Sequence, residues 1–121
     1  MRTLPAAAVT LAVALLSLCP VAAQAKPPPM SVKEQIALGQ RLAARNCGMC
    51  HGTRSSGVSP NPNAPPLSRL NQRFDVEQLG EGLATGILTG HPAMPEFRFE
   101  PYEVLAIVRY LRSVQVKGRA L

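Results

Sequence analysis

Cys47, Cys50 and His51 stand in the run Cys47-Gly48-Met49-Cys50-His51, a C-x-x-C-H pattern. In an exported chain this pattern marks covalent haem attachment. Two cysteines three apart near a helix end lie on one face, where each thiol can add to one of the two vinyl groups of a porphyrin. The adjacent histidine then offers its imidazole to the iron from the same side. Gly48 and Met49 have only to be tolerated between the attachments. Three other chemistries compete for these residues. A thioredoxin-like redox pair wants a strand before it and a helix after it, whereas here a helical pattern precedes and a loop composition follows. A zinc site needs four ligands, usually from two well-spaced pairs, and the chain offers Cys47, Cys50, His51 and the isolated His91. A disulfide closing so small a ring would be strained and would stabilise little.

If His51 takes one face of the iron, the other face decides the chemistry. A methionine sulfur there stabilises ferrous iron and suits electron transfer. An open face would suit gas binding or peroxide chemistry. The candidates are Met30, Met49, Met94 and His91. Met49 is locked between the cysteines, and Met30 precedes the first helix. Met94 lies in a proline-flanked loop between two helical segments, where a pre-ordered backbone can cover the distal side. Two alternatives stand beside it: Met94 as core filler, and His91 as the ligand in a lower-potential bis-histidine site.

The elements that must position these residues are helical. Ser31 and Glu34 form a capping box, and Val32, Ile36, Gly39, Leu42, Ala43 and Asn46 recur at helical spacing after it. Gly39 in mid-helix costs about 1 kcal/mol relative to alanine, which makes sense where another helix crosses closely. Residues 52–66 are rich in Gly, Ser, Pro and Asn and read as loop. Asp75 can cap a second helix with a stripe of Val76, Leu79, Leu83 and Ile87, ended by Gly90. Residues 91–99 hold two prolines and read as loop. Pro101 suits the first turn of a last helix, whose apolar face is Val104, Leu105, Ile107, Val108, Leu111 and Val114, with Tyr110 beside it. No alternating strand pattern and no internal repeat are present. The expected class is all-α, with three main helices and long loops in one domain over 31–115 and a frayed tail at 116–121.

The first 25 residues read as an export signal rather than as domain. Arg2 gives a positive start, an uncharged apolar run spans Leu4 to Leu18, and Ala23-Gln24-Ala25 fits a small-x-small cleavage site. The apolar run is short for a bilayer span of roughly 20 residues, so cleavage before Lys26 is expected, with no stable membrane insertion afterwards. Leu18 before Cys19 does not suit lipidation, which wants a small residue there. Residues 26–30, Lys-Pro-Pro-Pro-Met, form a stiff leader without a packing role. Removing 25 of 121 residues leaves 96, with Cys47 and Cys50 as the cysteines and five aromatic side chains. So short and aromatic-poor a chain builds a thin core, which a covalently held flat cofactor would complete. Without Arg2, 12 Lys and Arg face 7 Asp and Glu, a formal charge of +5. A scattered positive excess of this size on an exported chain points to acidic protein surfaces rather than to nucleic acid.

The chain resembles the class I c-type cytochromes over essentially all of residues 31–115. The resemblance is carried by the Gly39 helix ending in Asn46-Cys47-Gly48-Met49-Cys50-His51-Gly52, by Pro65-Pro66-Leu67, by Met94-Pro95 and by Tyr110-Leu111. It implies a cytochrome c-like fold round one covalent haem c, with His51 and Met94 on the iron. It also implies that the Pro65 carbonyl accepts from the other nitrogen of His51, that Leu67 lies under the haem, and that Gly39 meets Tyr110 where the first and last helices cross. The family's first helix often carries an aromatic a turn after that glycine, where this chain has Leu42 or Ala43. Leu67, Leu70, Ile87, Leu88, Phe97 and Phe99 could wall the pocket, or serve as ordinary core.

The resulting expectation is a periplasmic one-electron carrier, not an enzyme, that docks on redox proteins with acidic surfaces. Arg41, Arg45, Arg54, Arg69 and Arg73 would steer it, unless they are simply solvated. Two alternatives remain open on sequence: a haem subunit of a periplasmic dehydrogenase complex, and a ligand-binding haem sensor. A cytochrome-type peroxidase would need a second attachment motif, and the chain has one.

Overall fold

The computed structural model describes residues 29–86 and 94–117. The expected export signal at 1–25, Lys26 to Pro28, Ile87, Leu88, Gly90 and His91 lie outside the described residues. Helix α1 spans Val32–Cys47, α2 Leu79–Thr85 and α3 Pro101–Val114. Two 3-10 segments, Leu67–Gln72 and Val76–Gln78, stand between α1 and α2. The described residues contain no strand, and the architecture is all-α, as the periodicity predicts.

Helix α1 starts at the capping box read from the sequence. The Glu34 amide donates to the Ser31 hydroxyl at 3.3 Å, and the Ser31 amide donates to the Glu34 carboxylate at 2.7 Å. The Ser31 hydroxyl also donates to that carboxylate at 2.7 Å, and this bond, followed by the one from the Ser31 amide, holds the Glu34 carboxyl below the usual glutamate range. Met30 also has a role that composition did not suggest, because its carbonyl accepts from Gln35 Nε2 at 2.9 Å. Gly39, Leu42 and Ala43 are buried, while Ile36 and Leu38 pack partly against the core. Val32 does not belong to the stripe. It is 58% exposed in the first turn, and α3 meets the helix further along, at Gly39.

That meeting has almost no clearance. A Cβ placed on Gly39 would lie 2.5 Å from the Ala106 carbonyl carbon and 2.7 Å from Tyr110 Cβ. The α1–α3 crossing organises the fold, and the glycine is what lets the two backbones approach. Pro101 opens α3 at its first turn, where the missing amide proton is not needed. The Glu100 amide is taken by the Glu103 carboxylate at 3.1 Å. Ala106, Ile107, Val108, Tyr110 and Leu111 form the buried face. Leu105 is 45% exposed, against the expected apolar face. At about 100° per residue it points to the side opposite Ile107 and Val114, and Ala106 takes the contact with α1.

Asp75 caps as expected, its carboxylate accepting from the Glu77 amide at 3.0 Å. The turn that follows is 3-10 before it becomes α2. Helix α2 also stops earlier than Gly90, at Gly86, whose φ of 101° breaks the helix and whose amide donates to the Gly82 carbonyl at 2.8 Å. Val76 and Leu83 are the buried members of its stripe, and Leu79 packs partly against them. After the Met94 loop, the Phe99 amide donates to the Leu83 carbonyl at 2.9 Å. The chain end is not frayed at Val116. Its amide donates to the Ser68 carbonyl at 2.9 Å, and its carbonyl accepts from Asn71 Nδ2 at 3.0 Å. The polar atoms that tie it down come from a segment more than 40 residues away.

Candidate functional site

Cys47 is the last residue of α1, and the chain turns directly beyond it. The amides of Cys50 and His51 both donate to the Cys47 carbonyl, at 3.1 and 2.9 Å. The two thiols and the imidazole are thereby gathered at one helix end. Both cysteines carry free thiols and are half-buried, so neither is spent on a disulfide. Burial pushes the Cys47 thiol up. Met49, between them, is 88% exposed, in keeping with a residue merely tolerated there.

His51 is oriented from outside its own helix. Its Nδ1 lies 2.7 Å from the Pro65 carbonyl oxygen. With Nδ1 protonated and donating to that oxygen, Nε2 is the nitrogen left with a lone pair, which is the state of a metal-ligating histidine. The loop that brings Pro65 here is closed by its own bonds. The Gly52 amide donates to Ser59 Oγ at 3.0 Å, the Asn61 amide to the Cys50 carbonyl at 3.1 Å, and the Leu67 amide to the Gly52 carbonyl at 2.9 Å. Gly52 is buried, and a Cβ there would come within 2.8 Å of the Gly57 carbonyl oxygen. Tyr110 completes the frame from α3, its hydroxyl donating to the Thr53 carbonyl.

Leu67 and Leu70 are buried, and both join the core cluster with Leu42, Ala43 and Leu111. Phe97 and Phe99 stack with centroids 5.9 Å apart, and Phe99 packs on that cluster. Met94 is half-buried at the start of the segment that runs down to α3. The rivals divide: Met49 faces solvent, whereas His91 lies outside the described residues. Arg41, Arg45, Arg54, Arg69 and Arg73 are all exposed. The described residues hold no cluster of three or more His, Cys, Asp or Glu side chains shaped for a bare metal ion, and none of their helices is long and apolar enough to cross a membrane.

This donor set fits a haem. Two thiols three apart and an imidazole with one nitrogen already engaged are groups that attach a porphyrin and take one face of its iron. The packing agrees, since no large side chain among the described residues is fully buried and the core they form is thin. Pattern reading missed Tyr110 as a partner of Thr53, and it missed Asn71 and Gln115, whose side chains bind backbone across 44 to 48 residues. Such contacts leave no local signature.

A search of curated proteins found no match to the chain, and a search of solved structures found none. The family model described as Cytochrome c matches residues 36–115. That stretch holds α1 from Ile36 onward, the C-x-x-C-H turn, the Pro65 loop and α3, so the match covers the elements that build the site above. The chain belongs to the cytochrome c family, whose members bind haem covalently and transfer electrons.

Proposed function

We propose that this protein is an exported, periplasmic monohaem cytochrome that carries single electrons between redox proteins. The observation that carries the reading is the bond between His51 Nδ1 and the Pro65 carbonyl, beside two free thiols at the end of α1. It supports His51 as the proximal ligand, because a fixed tautomer leaves Nε2 for iron. Cys47 and Cys50 are the thioether attachment points, and Met94 is the distal ligand. Bound haem supplies a one-electron ferric/ferrous couple whose potential a thioether ligand raises.

The protein's own share is to hold the imidazole, to present the sulfur and to keep water out. Pro65 and Gly52 do the first through backbone atoms. Leu67, Leu70, Phe97 and Phe99 serve the last with apolar surface, which keeps reorganisation small. No side chain needs to act as an acid, base or nucleophile. The partners are redox proteins with acidic docking surfaces, steered by the exposed Arg41, Arg45, Arg54, Arg69 and Arg73.

The test is the mass and ferric spectrum of the protein matured in its native host. Expected are one added haem that resists acid-acetone extraction and a weak far-red sulfur-to-iron band. A high-spin ferric spectrum would remove Met94 from the iron, and an unmodified mass would remove the haem.

A further inference from the structure

The residue that ends α3 reaches back to the loop that holds His51. Gln115 is the C-cap of α3, and its side chain uses both of its ends. Its Nε2 donates to the Leu67 carbonyl at 2.8 Å and to the Leu111 carbonyl at 2.6 Å. Its Oε1 accepts from the Asn71 amide at 2.9 Å. Asn71 Nδ2 donates onward to the Val116 carbonyl at 3.0 Å, and the Val116 amide to the Ser68 carbonyl at 2.9 Å. Five hydrogen bonds therefore clasp the chain end to residues 67–71 and to the last turn of α3.

Leu67 sits at the centre of the connection. Its carbonyl takes Gln115, its amide donates to Gly52 next to His51, and two residues earlier Pro65 accepts from the imidazole. The path from Gln115 to the ring thus runs through backbone with little slack. We propose that Gln115 is a positioning residue for His51: by clasping Leu67 it fixes the Pro65 carbonyl, and through that bond it sets the donor strength and orientation of the imidazole. The inference rests on the reading of His51 as an iron ligand. Partners of a ligating histidine tune the metal through the ring, and here the outermost partner is at the far end of the sequence.

The experiment uses the full, haem-loaded chain, and it reads hydrogen exchange of the His51 Nδ1–H by NMR in the ferrous state together with the midpoint potential. Gln115→Met keeps the length and apolar stem while deleting all three bonds. Expected is exchange at least about tenfold faster than in the unmutated protein, as local opening becomes easier, with a displaced potential. Val116→Pro deletes the bond to Ser68 alone. Gln115 already has φ −60° and ψ 135°, the extended conformation a residue before proline requires, so this variant should fold and show a smaller change in the same direction. It decides the matter if Gln115→Met does not fold. Arg112→Ala removes the exposed Arg112–Glu77 ion pair, another tie from α3, and should leave both readouts unchanged. Unaltered exchange and potential in the clasp variants, or an equal change in Arg112→Ala, would overturn the proposal. If the ring proton of the unmutated protein shows no hyperfine shift between ferrous and ferric states, His51 is not on iron. That result removes the ligand reading itself rather than the clasp.

Discussion

The Tyr110 hydroxyl donates to the carbonyl oxygen of Thr53, joining the middle of α3 to the backbone two residues beyond His51. Tyr110 is 4% exposed, and its Cβ lies where a side chain on Gly39 would have to go. One residue therefore packs the α1–α3 crossing with its stem and fastens the C-x-x-C-H loop with its tip. Removing only the hydroxyl, as in Tyr110→Phe, leaves the packing and orphans the Thr53 carbonyl. The expected loss is about 1–3 kcal/mol in urea unfolding. The loss should depend on pH. Burial raises the Tyr110 hydroxyl above the ordinary tyrosine value, and the nearby Arg54 charge opposes this only in part. A group raised on folding contributes its stability in full below the unfolded value of about 10 and loses it as pH climbs through the folded value. The gap between the two proteins should therefore be constant at neutral pH and narrow in strong alkali. A gap that widened there would contradict the assignment.

Gly39→Ala sets two effects against each other. Alanine gains about 1 kcal/mol of helix propensity in α1. Its methyl, however, would overlap the Ala106 carbonyl, which is backbone and cannot turn aside. The helices must separate, so overpacking should win, with a net loss of about 1–3 kcal/mol. Thermal unfolding of the haem-loaded protein reads this directly. A variant as stable as the unmutated chain would mean that the crossing is looser than its geometry.

What could be read in advance was what is local. The C-x-x-C-H turn concentrates its chemistry in five residues, and the Ser31–Glu34 box spans one helical turn. Gly39 was legible for a different reason: a glycine inside a helical pattern costs stability and asks for a crossing. The apolar stripe of α3 was legible only in outline. Leu105 and Ala106 are both apolar, and the phase of the helix, not the residue type, decides which one touches α1. The end of α2 has the same character: the sequence suggests Gly90, and the backbone angle at Gly86 is what ends the helix earlier. The clasp of Gln115 on Leu67 and Asn71 was beyond reach. Glutamine and asparagine read as surface residues until the fold brings carbonyls and amides to them.

The thin core predicts dependence on the cofactor. Ala43 and Ala106 are fully enclosed, but no large described side chain is. A domain with a stability of roughly 5–15 kcal/mol cannot lose a major part of its interior and remain folded. Cys47→Ala combined with Cys50→Ala should give a chain with little helical circular dichroism and no cooperative transition. A well-folded apo-protein from that variant would show that the polypeptide alone makes the core.

Replacing Met94 tests the proposal that its sulfur is the distal ligand. Met94→Ala should lower the midpoint potential by a sizeable part of the ~0.8 V range that axial ligands span, because loss of the thioether favours ferric iron. It should also let carbon monoxide bind the ferrous protein. Carbon monoxide binding equally well to the unmutated protein would assign Met94 to packing instead.

The Met94 segment is anchored where α2 ends. Gly86 holds φ at 101°, and a Cβ there would meet the Glu96 side chain, 2.9 Å from its carboxyl carbon. Three residues beyond Glu96, the Phe99 amide is fixed to the Leu83 carbonyl. Gly86→Ala would combine backbone strain of about 1–2 kcal/mol at a left-handed φ with displacement of Glu96. The carboxylate belongs to a flexible side chain, so the strain should dominate the stability loss. The displacement acts on the backbone two residues from Met94. The expected result is a modest fall in the urea midpoint and a larger effect on the iron, with added imidazole displacing the methionine at lower concentration. The His51 ring proton should exchange at its unmutated rate, since the proximal frame is built on α1 and α3. Faster exchange there would show that the two sides of the site are coupled through α2 rather than held separately.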